Sequence, residues 1–151
     1  VEEFVNLDKI DGQDESEIEY PQAIIAFGYP EEGEALFRSS SAIHDRHKMK
    51  HICKTYDEKW FNALNALRVA PSISNCQPWT LEQRENGFDI FENEHKKKSD
   101  IEKYIKMSMG VALKHFEIGC RYDNIEIEYR KFDVKNKRKK SYFISVLEKT
   151  I

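Results

Sequence analysis

Two stretches of the chain repeat apolar residues every three or four positions, which is the spacing of an amphipathic helix. The first covers 55–69, and its apolar positions are Trp60, Phe61, Leu64 and Leu67. The second covers 101–119, and its apolar positions are Ile101, Tyr104, Ile105, Met109, Ala112, Leu113 and Phe116. Both helices should bury these faces against a common core, with Trp60, Leu64, Leu67, Ile105, Leu113 and Phe116 out of water.

The ends and the interior of these helices carry further signals. Thr55 followed by Glu58 has the form of a capping box, and Asp100 can cap the second helix. Gly110 inside the second helix costs about 1 kcal/mol relative to Ala. Its presence therefore predicts a close approach of another helix or backbone at that position.

Shorter apolar runs predict strands. The run 23–27 lies between Pro21 and Gly28 and is typical of a buried strand. Apolar and polar residues alternate on both sides of Asn86-Gly87, which predicts a hairpin with a type I′ turn. The runs 125–132 and 141–147 predict two more strands, joined by a basic turn.

These elements together predict an α+β fold in which a central antiparallel or mixed sheet is flanked by helices. The polar segment 31–54 should be a long loop, a kind that usually carries function or moves. Residues 1–20 should form an acidic connector to a single domain over 21–151.

The segment between the first helix and the hairpin reads Arg-Val-Ala-Pro-Ser-Ile-Ser-Asn-Cys-Gln-Pro-Trp-Thr over 68–80. Pro71 ends the helix, and Pro78 removes a hydrogen-bond donor just before the strand. Hydroxyl and amide side chains crowd the space between the two prolines. They permit two interpretations: a turn that satisfies its own backbone, or a polar edge that binds a planar, heteroatom-rich ligand.

The ten residues 70–79, Ala-Pro-Ser-Ile-Ser-Asn-Cys-Gln-Pro-Trp, resemble the Ala-Pro-Ser-x-x-Asn-x-Gln-Pro-Trp signature of the nitroreductase superfamily of FMN-dependent oxidoreductases. Residues 21–30 resemble the family strand that ends in Gly-Tyr-Pro. Residues 109–117 resemble its Met/Leu-Gly-Ile-Ala-Leu-x-His-Phe helix. The order of the segments is similar to the compact thermophile-type branch, in which two half-repeats share one polypeptide, and the resemblance runs from Pro21 to the C-terminus.

The resemblance implies a nitroreductase-like fold that binds FMN and reduces nitro or quinone-like small-molecule acceptors with NAD(P)H. The cofactor-binding residues that it implies are Pro71, Ser72, Ile73, Asn75, Gln77 and Gly28. In related proteins the flavin lies between two half-folds, so we expect a dimer or other homo-oligomer, or association with a missing N-terminal part. A non-catalytic flavin-binding or regulatory module with the same fold is the alternative to an enzyme.

One family feature is displaced or missing. Family members begin with an Arg-Arg/His-Ser-x-Arg motif that grips the FMN phosphate, and nothing before Pro21 has this form. The run Arg38-Ser39-Ser40 has suitable residue types but lies in the predicted loop. We therefore expect the chain to be the C-terminal part of a longer protein, or a degenerate relative.

Charge and cysteine content narrow the remaining classes of function. The net charge of -3 gives no case for a nucleic-acid partner. The basic run 130–140 is either a solvated hairpin tip or a surface that steers anions.

Three cysteines without a Cys-x-x-Cys spacing argue against a disulfide framework and a zinc ribbon. With neither a membrane span nor a signal peptide in the sequence, we expect reduced thiols and a cytoplasmic location.

Other catalytic and metal-binding patterns are weak. His44, His47 and His51 would share one face of a helix, with Asp45 and Cys53 nearby, which permits a metal site. We expect a solvated loop and no metal, because no apolar stripe anchors a helix there. The sequence lacks a Gly-x-Gly-x-x-Gly motif, a P-loop and a recognisable Ser/His/Asp arrangement.

Overall fold

The computed structural model describes residues 29, 31–33, 45–94 and 102–149. The chain divides into two units, residues 1–37 and 38–151. In the first unit the described residues include a turn at Glu32–Gly33. All elements below belong to the second unit. The predicted strand 23–27, Gly28, the run 38–40, His44 and the cap at Asp100 lie outside the described residues.

Three α-helices form within the described part of the second unit. They are α1 (Met49–Ile52), α2 (Phe61–Val69) and α3 (Glu102–Tyr122), and a 3-10 turn over Glu58–Trp60 precedes α2. The two predicted helices are confirmed. The short α1 corrects the prediction of an unbroken loop over 31–54, and it forms where Ile52 enters the core, only 1% exposed.

The predicted capping box is wrong. The 3-10 turn begins after Asp57, whose side chain makes no capping hydrogen bond. Trp60 occupies the N-cap position of α2, where no side chain caps the helix. Burial of the Trp60 indole, 1% exposed, sets the start of this helix instead of a local polar signal.

Four strands form one antiparallel sheet in the order β1-β2-β4-β3. They are β1 (Trp79–Arg84), β2 (Gly87–Asn93), β3 (Ile127–Arg130) and β4 (Lys140–Glu148). The predicted hairpin is β1-β2, with Leu81 opposite Ile90.

The predicted type I′ turn of this hairpin is wrong. The connecting residues are Glu85 and Asn86, and neither has a positive φ. Gly87 already pairs with Arg84. A Cβ on Gly87 would lie 2.0 Å from the carbonyl oxygen of Val146, so the glycine is needed for the close approach of β4.

The core lies between the sheet and the pair α2 and α3, and three aromatic rings occupy it. Trp60 lies 5.3 Å from Phe88 and 5.9 Å from Phe116, centroid to centroid. Phe88 and Phe116 are 5.8 Å apart and edge-on. Each such pair contributes about 0.5–1.5 kcal/mol beyond its buried area. Helix α2, strand β2 and helix α3 are thereby joined at one point.

Burial largely follows the predicted pattern. Of the six side chains predicted to be buried, five are below 7% exposed, and Leu113 is partly buried against the core. Phe61 departs from its predicted apolar face, since it is 48% exposed. Gly110 is exposed, and no described atom lies within 4 Å of a Cβ built on it, so the close approach predicted there does not occur among the described residues. The close approach of helices occurs at Gly119, further along α3.

The face of the sheet opposite the helices is covered in part by the chain between β3 and β4. The Arg84 guanidinium lies 4.5 Å from the centre of the Phe132 ring. The backbone N–H of Phe132 donates to the Tyr142 hydroxyl at 3.1 Å. Beyond this contact, Lys135, Arg138 and Lys139 are exposed.

Candidate functional site

The segment Pro71–Gln77, here called the motif loop, connects α2 to β1. It contains a 3-10 turn over Ile73–Asn75. Ser74, Asn75 and Gln77 have φ values of 47°, 53° and 45°, which lie in the left-handed region that favours glycine. Such residues cost on the order of 1–3 kcal/mol each and persist only where the surroundings impose them. The motif loop is therefore held in its shape by its neighbours.

Ser72 supplies part of that support from within the motif loop. Its carbonyl oxygen accepts the N–H of Asn75 at 3.0 Å. Its hydroxyl accepts the N–H of Gln77 at 2.9 Å. Some of the polar groups thus serve the backbone, as the turn interpretation requires.

Helix α3 supplies a second support through Ser108, which is 5% exposed. The Ser108 hydroxyl accepts the N–H of Ile73 at 3.0 Å and donates to the carbonyl of Tyr104 at 2.8 Å. Ser108 was not predicted as a site residue. The sequence does mark it, since it is a serine directly before Met109 on the apolar face of a predicted helix.

The third support comes from residues 45–47, in the segment predicted to be a loop. The Gln77 Oε1 accepts the N–H of His47 at 2.8 Å, and the Gln77 Nε2 donates to the carbonyl of Asp45 at 3.0 Å. The Asn75 Nδ2 donates to the same carbonyl at 2.9 Å. The two amides that the resemblance implies as ligand contacts are therefore bonded to the backbone of a distant segment.

Arg46 lies between Asp45 and His47, the two residues that Gln77 binds, and places a positive charge beside the motif loop. Its Nη1 donates to the Asn75 Oδ1 at 2.6 Å, and its Nε donates to the carbonyl of Val69 at 3.4 Å. Arg46 was not predicted as a site residue, because its neighbours His44, His47 and His51 suggested only a histidine cluster. The available signal was a basic run placed shortly before the helix that leads into the motif.

The histidines of that cluster have no metal-binding partners in the described part of the chain. His47 and His51 are exposed, and their ring centroids lie 6.4 Å apart at an interplanar angle of 70°. Residues 45–94 and 102–149 contain no group of three His, Cys, Asp or Glu side chains that could hold a metal ion.

Several donors of the motif loop remain available. Within the described residues, the N–H groups of Ser72 and Ser74 and the hydroxyl of Ser74 have no hydrogen-bond partner. Ser74 and Asn75 are exposed, and Ser72 is partly exposed. With the remaining guanidinium donors of Arg46, the loop offers a set rich in hydrogen-bond donors. Such a set suits a ligand edge made of carbonyl, ring-nitrogen or phosphate acceptors.

An open groove of about 690 Å³ lies elsewhere, between the C-terminal end of α3 and β3, and contains no residue of the motif loop. Glu117 in its wall pairs with Lys114 and Arg121, and the hydrogen bond from Lys114 lowers the pKa of that carboxyl. Since this acid is already paired, the groove is a weaker candidate than the motif loop.

Comparison with known protein families gives one match. The family described as "Putative TM nitroreductase" matches residues 7–120. The chain belongs to this family. The match includes the motif loop and α3 up to Cys120, and it confirms both the resemblance and the α+β nitroreductase-like fold. No curated protein and no solved structure matches the chain.

Membership supports a nitroreductase-like function for the chain, and the family generally binds flavin. Among the described residues, no helix has both the length and the apolar character needed to cross a bilayer.

Proposed function

We propose that this nitroreductase-family protein is an FMN-dependent oxidoreductase that reduces nitro or quinone-like acceptors with NAD(P)H. The observation that carries the proposal is the motif loop. Three of its residues hold left-handed φ values, and the loop is held by Ser72 from within, by Ser108 of α3 and by residues 45–47. Backbone strain concentrated in one loop is typical of a binding site, where it holds polar groups in the position that the ligand requires.

The residues present fit a flavin at this loop. The N–H groups of Ser72 and Ser74, which have no partner among the described residues, are donors for the carbonyl and ring-nitrogen acceptors of the flavin edge. The N–H of Ile73 is occupied by Ser108, so Ile73 and Pro71 contribute through their position and apolar surface. When bound, FMN supplies the electron-transfer chemistry, while the protein positions it and tunes it by hydrogen bonds and nearby charge.

The side chains of Asn75 and Gln77 support this edge through hydrogen bonds to the protein. Both amides bind the Asp45 carbonyl, at 2.9 Å for Asn75 and 3.0 Å for Gln77. They therefore hold the loop and the 45–47 segment together, and Asn75 contacts the cofactor only from its exposed side. The role of Gly28 in flavin binding stays a prediction, since this residue lies outside the described ones.

We further propose that a second copy of the chain completes the site. An apolar stripe runs along the outer side of α3, and its members are Tyr104 (42% exposed), Met107 (43%), Val111 (37%), Ile118 (55%) and Tyr122 (79%). Their spacing of mostly three, four and seven residues places them on one side of the helix. The same helix supports the motif loop through Ser108. A partner on this stripe would therefore lie near the loop and shield a bound ring from water.

The experiment is an FMN titration of the full chain, followed by anaerobic addition of NADH or NADPH. We expect the flavin fluorescence to change on binding and the absorbance band at about 450 nm to bleach on reduction. A nitroaromatic or quinone should then restore the band. Bound FMN that neither reductant bleaches would identify the non-catalytic flavin-binding module. Absence of FMN binding at every concentration would reject the proposed function.

A further inference from the structure

Gln77 is buried, and its hydrogen bonds lie within the protein. The side chain is 3% exposed. Its Oε1 accepts from His47, and its Nε2 lies within hydrogen-bond distance of the Asp45 carbonyl and of the Asn75 carbonyl at 3.2 Å. A group bonded in this way is in no position to bind a ligand directly. Its effect must pass through the residues that it holds.

The residue between the two that Gln77 holds is Arg46. Because the backbone is fixed at Asp45 and at His47, the Cα of Arg46 is fixed beside the motif loop. Two bonds then orient the side chain, from Nη1 to Asn75 and from Nε to Val69. A guanidinium has five N–H donors, and these two bonds leave about three of them without a partner among the described residues. Arg46 is partly exposed and its bond to Asn75 lies at the surface, where a ligand can reach the guanidinium.

We propose that Arg46 binds an anionic group of the flavin and that Gln77 is the positioning residue that holds Arg46 there. This inference rests on the proposed function. The anionic group is either the phosphate, which is charged throughout, or the pyrimidine edge of the ring, which is neutral in the oxidised flavin and becomes anionic on reduction. Both present acceptors to a guanidinium. The assignment differs from the resemblance, which implies the Gln77 side chain itself as a flavin contact.

The test is a double-mutant cycle on the full chain, with flavin fluorescence as the readout. The variants are Arg46→Gln, Gln77→Ala and the combination, each titrated with FMN and with riboflavin, which lacks the phosphate. Arg68→Gln is the matched control, because Arg68 is a partly buried arginine on α2 that donates to Asn65 at 3.0 Å, away from the 45–47 segment.

We expect Arg46→Gln to weaken FMN binding by about 10- to 100-fold, the range for losing a charged hydrogen bond. Gln77→Ala should reproduce most of that loss, although it touches no ligand. The double variant should be no weaker than Arg46→Gln alone, because both changes remove one interaction. Arg68→Gln should bind like the wild type.

Riboflavin shows whether Arg46 binds the phosphate or the pyrimidine edge of the ring, because it has the ring and lacks the phosphate. If Arg46→Gln weakens FMN and leaves riboflavin unchanged, Arg46 meets the phosphate. If both flavins are weakened equally, it meets the ring edge, and the midpoint potential of the bound flavin should fall in the same variant. Either result supports the proposal, provided that Gln77→Ala follows the same pattern.

Gln77→Met guards against misfolding of the alanine variant. Methionine keeps an uncharged side chain of similar length in this buried position but has neither the amide acceptor nor the amide donor, so it should give the same loss of affinity as alanine. The proposal is overturned if the Gln77 variants bind both flavins like the wild type, or if the losses at Arg46 and Gln77 add. A wild-type chain that binds neither flavin would instead reject the proposed function on which the inference rests.

Discussion

Gly119 on α3 lies against the backbone of Ala63 on α2. A Cβ at Gly119 would be 2.5 Å from the Ala63 Cα and 2.9 Å from the Asn62 carbonyl oxygen. The two helices therefore touch backbone to backbone at this point. The contact also affects the site, because α2 leads into the motif loop and α3 carries Ser108, which binds that loop.

We expect Gly119→Ala to lower the free energy of unfolding by about 1–3 kcal/mol. The added methyl group forces two backbones apart, a form of overpacking, and this outweighs the gain of up to about 1 kcal/mol in helix propensity. Gly110→Ala is the matched control, since nothing lies within 4 Å of its added Cβ. It should be neutral or stabilising. Urea unfolding of both variants measures the difference, and equal midpoints would contradict the packing argument.

These two glycines show what the sequence could predict of the fold and what it could not. The helical period over 101–119 predicted α3, because burial of one face repeats with that period. Together with the period over 55–69, it also placed Trp60, Leu64 and Phe116 in the core correctly. It did not show which glycine faces α2, because the position of one helix against another is a tertiary property. Gly110 was selected because a glycine inside a helix carries a cost, whereas the contact with α2 lies at Gly119.

The candidate site likewise has one part that the sequence predicted and one part that it did not. The motif loop was located because its two prolines and clustered polar residues are local signals. The clasp between Gln77 and residues 45–47 joins parts of the chain about thirty positions apart. No periodicity or spacing rule reports such a contact. Arg46 was missed for that reason, and α1 was missed because a single turn carries little pattern.

We expect Ser108→Ala to loosen the motif loop. The change leaves the N–H of Ile73 without its acceptor, which costs about 1–3 kcal/mol when the group is buried. Since Ile73 is only partly buried, the loss of stability should lie at the lower end of this range. Hydrogen exchange of the Ile73 amide should become at least about tenfold faster, which corresponds to roughly 1.4 kcal/mol. Ser141→Ala, an exposed position on β4, should leave that amide unchanged. Equal exchange in both variants would exclude the support role of Ser108.

Stability should fall as the pH rises from about 9 to 11. Burial raises the pKa of the Cys53 thiol from 9.0 to about 11 and that of Cys120 to about 12. In this window the unfolded chain releases these protons and the folded chain keeps them. The free energy of unfolding should therefore decrease by up to about 1.4 kcal/mol per pH unit for each thiol.

Cys53→Ser tests the contribution of one thiol. The serine hydroxyl does not ionise in this range and can replace the hydrogen bond from the Cys53 Sγ to the Thr55 carbonyl, 3.2 Å long. Urea unfolding at pH 8, 9, 10 and 11 should show a shallower decline for the variant than for the wild type. Parallel declines would mean that Cys53 does not contribute.

The stripe on α3 should mediate self-association. Met107→Glu with Val111→Glu places two carboxylates in the middle of the exposed apolar surface, where burial against a second copy would be costly. Light scattering should show a dimer or larger assembly for the wild type and a monomer for the variant. Lys106→Gln with Lys114→Gln, at exposed positions on the same helix, lowers the net charge by the same two units and is the control for added negative charge. A monomeric wild type at high concentration would count against a second copy as the partner.

Asn75→Ala should weaken FMN binding by roughly 5- to 100-fold. The change removes the acceptor of the Arg46 guanidinium, 2.6 Å away, and the donor to the Asp45 carbonyl. Asn75 is exposed in the free chain, but under a bound ring a polar group left without its partner costs on the order of 1–3 kcal/mol, at about 1.4 kcal/mol per decade of affinity. Flavin fluorescence titration of the full chain measures the effect.

Replacing His47 and His51 by alanine, together with His44, should leave the affinity for FMN unchanged. His47 is bound to Gln77 through its backbone N–H, which alanine retains, and the rings of His47 and His51 are exposed. The triple variant is therefore the natural comparison for Asn75→Ala, since it alters the same neighbourhood without touching the clasp. If the histidine variant lost FMN, these rings would belong to the site. If Asn75→Ala bound FMN like the wild type, Asn75 would be a residue of the turn alone.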